Sequence, residues 1–403
     1  MGVFLSAGCR IFQAAFHLGG MCLPWRTAKA LEGPDGVEQI PALLRQEGAA
    51  CPMVVATPGR WAAVGERLCQ SLEGAGMSWS VYSHVGPDPT VSEVEAIVAR
   101  CRSEGCDSFV AVGGGSPIDA AKAAAARLAR PDRSVVQLSG LLRVRRRILP
   151  LVAVPTTAGS GSETTIAAVI TDESACRKAA MMDLCLIPRY AVLDPTLTLD
   201  LPPDITAQTG MDALTHAVEA YLCWAYNTRQ SLGWAEQAVA LIFANLERVW
   251  ADGSDLEGRR NMLRAAYLAG AAFTRAGVGN VHAIAHALGG RYHIPHGLAN
   301  AVVLPVVLED YGAPAWPKLA RLARAAGIKT GGDTEDQARA LIRAVRELGL
   351  RMGIPRELHC IEEPDIPQLA ARACAEANPL YPVPVIYTAA RFCSVIARLR
   401  ASD

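Results

Sequence analysis

The strongest constraint on this chain is a change of pattern near residue 200. Before that point, short apolar runs rich in β-branched residues alternate with stretches of helical spacing. Residues 53–56, 79–82, 108–112 and 151–154 read as strands, and residues 60–73, 91–103 and 117–128 read as helices. Apolar strands separated by helices predict a mostly parallel sheet covered on both faces. Beyond residue 200, Ala- and Leu-rich segments follow one another at 207–225, 231–249, 261–276, 317–326, 334–348 and 366–375, with little β-branched clustering. The expectation is an α/β domain over residues 1–200 and an all-helical domain over 201–403, joined between Asp194-Pro195 and Pro202-Pro203.

Composition narrows the function classes. At 403 residues the chain is too long for one hydrophobic core. An apolar fraction of 51% with 19% charged residues excludes disordered, collagen-like and coiled-coil classes. Lys plus Arg number 39 and Asp plus Glu number 39, so no global positive field draws the chain to nucleic acid or an anionic membrane. Arg143, Arg145, Arg146 and Arg147 form a local basic run, read as a solvated connection before the next strand. The 12 cysteines are scattered and include no CxxC, which argues against a zinc ribbon or a thioredoxin-type motif and fits reduced thiols in a cytoplasmic protein. The apolar start MGVFLSAGCRIFQAAFHLGG lacks a basic leader and is interrupted by Arg10. It reads as a lead-in that docks on the surface or contacts a partner. No uninterrupted apolar run reaches membrane-spanning length.

Two turns carry ligand-binding chemistry. Strand 108–112 runs into a helix through Gly113-Gly114-Gly115-Ser116-Pro117-Ile118-Asp119. Glycines let backbone approach a ligand closely, and the first-turn amides of the next helix point at it, an arrangement that favours pyrophosphate. Ser116 suits the cap, Pro117 the first turn and Asp119 an early acid. The spacing matches neither GxGxxG nor a P-loop. After the next strand, Pro155-Thr156-Thr157-Ala158-Gly159-Ser160-Gly161-Ser162-Glu163 is crowded with hydroxyls and backbone donors. Two such turns at the carboxyl edge of a sheet can hold a dinucleotide between them. Ser160 lacks the GxSxG elbow of a serine hydrolase.

The second half carries a different signal. Four of the 8 histidines, His282, His286, His293 and His296, lie close together, and His216 follows Asp212 at i+4 on one helical face. That face is set in Ala, Leu and Met, where an unpaired carboxylate is expensive. A divalent cation removes the cost. His282 and His286 are also i and i+4, Gly289-Gly290 loosens the helix, and Pro295-His296-Gly297 makes a turn that can bring His296 back. One carboxylate and three imidazoles suit a borderline divalent metal with a position left for substrate. His293 reads as a bystander.

With these residues in hand, the chain resembles the iron-containing, or group III, alcohol dehydrogenases over nearly its whole length. The carriers are GGGSPIDAAK (113–122), PTTAGSGSE (155–163), GMDALTHAVEAY (210–221) and HAIAHALGGRYHIPHGLANAV (282–302). The resemblance implies the dehydroquinate synthase-like architecture: an N-terminal α/β dinucleotide-binding domain, an all-α metal-binding domain, and an active site in the cleft between them. It places the metal ligands on Asp212, His216, His282 and His296, and a catalytic histidine near the nicotinamide on His286. Cofactor contacts fall on Asp88, Gly114, Gly115, Ser116, Asp119, Thr156, Thr157, Thr165 and Lys178. It implies Fe²⁺ or Zn²⁺, and NAD or NADP. Where many NAD-preferring relatives follow the first strand with an aspartate, this chain has Pro58-Gly59-Arg60, so Arg60 can attract a 2′-phosphate.

The expected reaction is reversible hydride transfer between a primary alcohol or aldehyde and a nicotinamide cofactor, with the metal as Lewis acid and His286 as proton relay. The alternative is a dehydroquinate-synthase-like lyase, which needs Lys and Arg near the metal motifs; those segments contribute only Arg291. The resemblance also implies a homodimer or larger homo-oligomer acting on a small-molecule substrate. Phe273, Trp224 and Tyr292 are candidates for an apolar wall.

Overall fold

Strands that are apolar at every position need cover on both faces, and the first half of the chain supplies it. The computed structural model describes residues 2–175 and 177–401. It contains two compact units, Pro24–Asp200 and a second made of the residues up to Leu23 with those from Leu201 onward. The chain starts with α1 (Gly2–Met21), which belongs to the second unit. The first unit then runs β1 (Lys29–Glu32), α2 (Ile40–Gln46), β2 (Pro52–Ala56), α3 (Pro58–Gly74), β3 (Ser80–Tyr82), α4 (Val91–Ser103), β4 (Ser108–Gly113) and α5 (Gly115–Ala129). It continues with β5 (Gly140–Leu141), β6 (Leu151–Pro155), β7 (Ala167–Asp172), β8 (Arg177–Met182) and β9 (Tyr190–Leu193).

Six strands form one parallel sheet in the order β1-β9-β6-β4-β2-β3. Strand alternation divides the core into two layers. Met53, Val55, Phe109, Ala111, Leu151 and Ala153 face α4 and the alanines of α5, while Val54, Ala56, Val110, Val112, Val152 and Val154 face Val64, Leu68 and Leu72 of α3. Each fully buried Val, Leu, Met or Phe side chain among these contributes about 1.5–3 kcal/mol. Because α3 and α5 lie on opposite faces, the chain leaves β2 and β4 in diverging directions at the carboxyl edge, where α/β sheets bind ligands. Gly113 pairs in register with Pro155, so the turn after β6 stands beside the turn after β4. A small second sheet, β5-β8-β7, contains the antiparallel β7–β8 hairpin. The sequence reading missed β1 and β9, which are four residues each, and also this hairpin.

The second unit contains α6 (Pro203–Leu222), α7 (Arg229–Ala251), α8 (Leu256–Ala276), α9 (Asn280–Tyr292), α10 (His296–Tyr311), α11 (Trp316–Ala325), α12 (Thr334–Arg351), α13 (Ile366–Ala377) and α14 (Ala389–Ala397). Nearly every residue of α6 from Thr206 on is buried, its polar side chains included, so these must find partners inside the fold.

Residues 2–23 depart from the expected boundary, since α1 packs with the helical unit rather than the sheet. Arg10 donates to the carbonyls of Val383 and Pro384 at 2.8 Å each, and Gln13 to those of Pro379 and Tyr381. Trp224 in turn donates to Gln13 at 2.7 Å. The charge that interrupts the apolar run is thus what docks the helix. None of the described helices is long and apolar enough to cross a membrane, and the described cysteines are free thiols.

Candidate functional site

On α6, Asp212, His216 and Glu219 stand at i, i+4 and i+7, so one helical face presents all three. All are buried. Two neighbouring helices complete the group: His282 lies in the first turn of α9, and His296 opens α10. Glycine permits the second approach. A Cβ on Gly297 would lie 2.3 Å from the Gln208 carbonyl oxygen of α6, so only glycine lets α10 begin against α6.

One ligand atom from each of Asp212, His216, His282 and His296 then falls within 4.8 Å of the others. Asp212 Oδ1 is 3.5 Å from His296 Nε2 and 4.0 Å from His282 Nε2, and Oδ2 is 4.0 Å from His216 Nδ1. His216 is stacked between Phe273 and His282, at 4.2 and 4.6 Å between centroids. Of the three aromatics expected as wall residues, Phe273 alone joins this stack; Trp224 contacts α1, and Tyr292 bonds Asp365.

Glu219 orients the central imidazole. Its carboxylate accepts the Nδ1 hydrogen of His282 at 2.5 Å and the backbone N–H groups of Gly279 and Val281 at 2.9 and 2.8 Å. A proton held on Nδ1 leaves the Nε2 lone pair facing Asp212. Burial pushes Glu219 up to about 7 against the pull of those donors. Burial, followed by the neighbouring imidazoles, holds His282 well below its ordinary value, so its ring is neutral.

The buried amide of Asn300 stands against three of the four groups. Its Nδ2 lies 2.7 Å from Asp212 Oδ1, 3.2 Å from His282 Nε2 and 3.1 Å from His296 Nε2, while its Oδ1 has no hydrogen-bond partner among the described residues. With the His282 proton on Nδ1, its Nε2 and Asp212 Oδ1 are acceptors that converge on this amide. A carboxylate and three imidazoles gathered in this way fit a divalent ion of borderline softness. His286 stands next to them, half-exposed, stacked on His296 at 5.2 Å with Nδ1 2.6 Å from Glu376 Oε1. Glu376 also accepts the Tyr381 hydroxyl at 2.7 Å. Arg291, the one arginine of these segments, is paired with Asp365 at 2.8 Å.

In the α/β unit, the two expected turns lie in contact. A Cβ on Gly114 or Gly115 would meet Thr157 Oγ1 or Ser160 Oγ at 3.3 Å. The Thr156 N–H donates to the Gly113 carbonyl at 3.0 Å, and its buried hydroxyl has no hydrogen-bond partner among the described residues. Ser116 donates to the Pro87 carbonyl, and Asp88 beside it is ion-paired with Lys178 at 2.6 Å, both exposed. Asp119 and Thr165 turn inward instead, and both bond within a buried network around Lys122. Arg60 is held by Asp200 through two bonds of 2.9 and 3.0 Å, so its charge is already paired. Glu219, Asn300, Glu376 and Lys122 were missed by sequence reasoning. The signal was present for three: Glu219 is i+7 from Asp212, Asn300 i+4 from His296, and Lys122 i+3 from Asp119.

Comparison with known proteins identifies the family. Residues 27–195 match the model of the iron-containing alcohol dehydrogenases, and residues 206–396 that of the C-terminal part of the Fe-containing alcohol dehydrogenase family. The chain is 41% identical to the probable alcohol dehydrogenase EutG of Escherichia coli over 72% of each chain. It is 35% identical to the NAD-dependent methanol dehydrogenase of Bacillus methanolicus over 86% of this chain and 93% of that one. A solved 1,3-propanediol oxidoreductase superposes with a TM-score of 0.89 at 33% identity, covering 93% of this chain and 99% of its own. In sequence and in fold the chain belongs to the iron-containing alcohol dehydrogenase family, metal-dependent oxidoreductases that move a hydride between a nicotinamide cofactor and an alcohol or aldehyde.

Proposed function

We propose that this chain interconverts short primary alcohols and aldehydes, with the metal held in the helical unit by Asp212, His216, His282 and His296 and the dinucleotide held by the turns after β4 and β6. The observation that carries the reading is the convergence of those four ligand atoms within 4.8 Å. When bound, the divalent ion supplies a Lewis acid for the substrate oxygen and the nicotinamide supplies or accepts the hydride.

The chain's own residues do the rest. Asp212 contributes the negative charge of the ligand set, and the neutral ring of His282 adds a lone pair without adding charge. Glu219 keeps that ring in the right tautomer. His286, half-exposed and tied through Nδ1 to Glu376, moves the hydroxyl proton to and from solvent. Gly114, Gly115 and Ser116 present backbone and hydroxyl donors to pyrophosphate, joined by Thr156, Thr157 and the Asp88–Lys178 pair. Because Arg60 is engaged by Asp200, the turn after β2 offers no free cation to a 2′-phosphate, which favours NAD over NADP. Fe²⁺ is the family's metal, and Zn²⁺ suits the same donors.

The same reading places the protein in the cytoplasm, as its free thiols suggest, and makes it a homodimer or larger homo-oligomer. Ile11, Leu18 and Met21 of α1 stand 72%, 66% and 63% exposed, an apolar surface that suits a second copy. The deciding experiment is an assay of iron- or zinc-reconstituted protein against short aldehydes, with NADH and NADPH tested separately. Steady oxidation of NADH in preference to NADPH is expected. No oxidation of either by fully metallated protein, across the whole panel, would overturn the reading.

A further inference from the structure

We propose that Lys122 is a positioning residue for the dinucleotide site, fixing the segment after β6 to α5 and thereby setting the spacing of the two donor-rich turns. The proposal rests on the reading that those turns hold the dinucleotide. Lysine is rarely buried completely, yet Lys122 is 0% exposed. Its Nζ lies 2.6 Å from Ser162 O, 2.8 Å from Thr165 Oγ1, 2.8 Å from Ala167 O, 3.0 Å from Thr165 O and 3.3 Å from Ser162 Oγ. All five oxygens belong to the stretch that follows the Thr156–Thr157 turn.

Asp119, one helical turn earlier, binds the same stretch with the opposite polarity. It accepts the Ser162 hydroxyl at 2.6 Å and the Val169 N–H at 2.9 Å. A cation and an anion on one face of α5 thus take the acceptors and donors of 162–169 together, and buried Glu163 adds further attraction for the ammonium. Burial pushes Lys122 down to about 8 and Glu163 up to about 7, with each partly offset by the other, as expected of a cluster balanced inside the fold.

The clamp reaches the ligand site because α5 begins at Gly115. A Cβ on Gly115, or on Gly114 just before it, would lie 3.3 Å from Ser160 or Thr157, so the start of α5 packs closely on the turn after β6 and slack at Lys122 alters the gap between the turns. The cost of such slack falls on dinucleotide binding, since donors held at the wrong spacing lose their hydrogen bonds to the ligand. Asp119 and Thr165, whose polar atoms are engaged in the clamp, act on the cofactor through position rather than by contact.

The test uses full-length, metal-loaded enzyme, with NADH binding followed by fluorescence alongside steady-state kinetics and metal content. Lys122→Met should raise the NADH Kd and the KM for NAD by roughly tenfold or more, with kcat falling by less than about threefold and the metal retained. Thr165→Val, which removes one clamp oxygen, should raise KM about threefold, and Thr165→Ser, which keeps it, should restore wild-type KM. This pair decides the matter if Lys122→Met does not fold. An unmoved Kd in Lys122→Met, or Thr165→Val and Thr165→Ser that cannot be told apart, overturns the clamp. Gly115→Val separates the two readings. Its loss of NADH binding beside an unmoved Lys122→Met overturns the clamp alone, whereas NADH binding that survives Gly115→Val overturns the site reading and the clamp with it.

Discussion

In the α/β unit a buried ammonium, Lys122, lies among Asp119, Glu163 and a shell of carbonyl and hydroxyl oxygens. In the helical unit the buried carboxylate of Asp212 faces three imidazoles and an amide, with the carboxylate of Glu219 behind His282. Both regions keep charge away from water, which is costly unless the charge is paired. The first brings its own cation and is balanced by the fold. The second gathers a carboxylate and three imidazoles around one point, a donor set that fits an ion from outside. A buried charged cluster is therefore a sign of ligand binding only when its own side chains do not balance it.

The largest effect should come from removing a ligand of the unbalanced cluster. His282→Ala is expected to lose the metal and reduce turnover to background together, read by elemental analysis and aldehyde reduction. Full activity in metal-free His282→Ala protein would refute the ligand set. A smaller loss is expected one shell out. Glu219→Gln should weaken metal affinity about 10–100-fold in competition with a chelator, because His282 loses its charged anchor. Unchanged affinity would mean that packing alone orients the ring.

The smallest effect tests the balanced cluster. Glu163 has a folded pKa of about 7 against an ordinary 4.5, so the folded chain holds a proton that the unfolded chain releases. The stability this supplies is full below pH 4.5 and is lost as pH rises toward 7. Glu163→Gln carries no charge at any pH, so the fall in melting temperature across that window should be shallower than in wild type. Equal slopes would show that Glu163 stays ionised beside Lys122 throughout.

Legibility followed distance along the chain. Residues 91–103 form α4 with the predicted bounds, and the central strands lie within about two residues of their predicted positions, because burial on both faces requires uninterrupted apolar runs. The edge strand β1, with mostly exposed residues, carried no such run. Asp212 and His216 were readable as a pair because four residues make one helical turn; extending the same period by three more would have reached Glu219. The destination of α1 was not readable, since Arg10 and Gln13 find their carbonyl partners more than 360 residues away.

The sequence by itself determined the two architectures, the glycine-rich turns and the types of donor available for a metal, because these follow from local periodicity and side-chain chemistry. Only the tertiary structure decided which polar groups balance one another: that Arg60 is taken by Asp200, that Asp119 and Thr165 serve Lys122, and that Glu219 stands behind His282. Hydrogen bonds and ion pairs act over about 3 Å in space whatever the separation in sequence, so their partners exist only once the chain has packed.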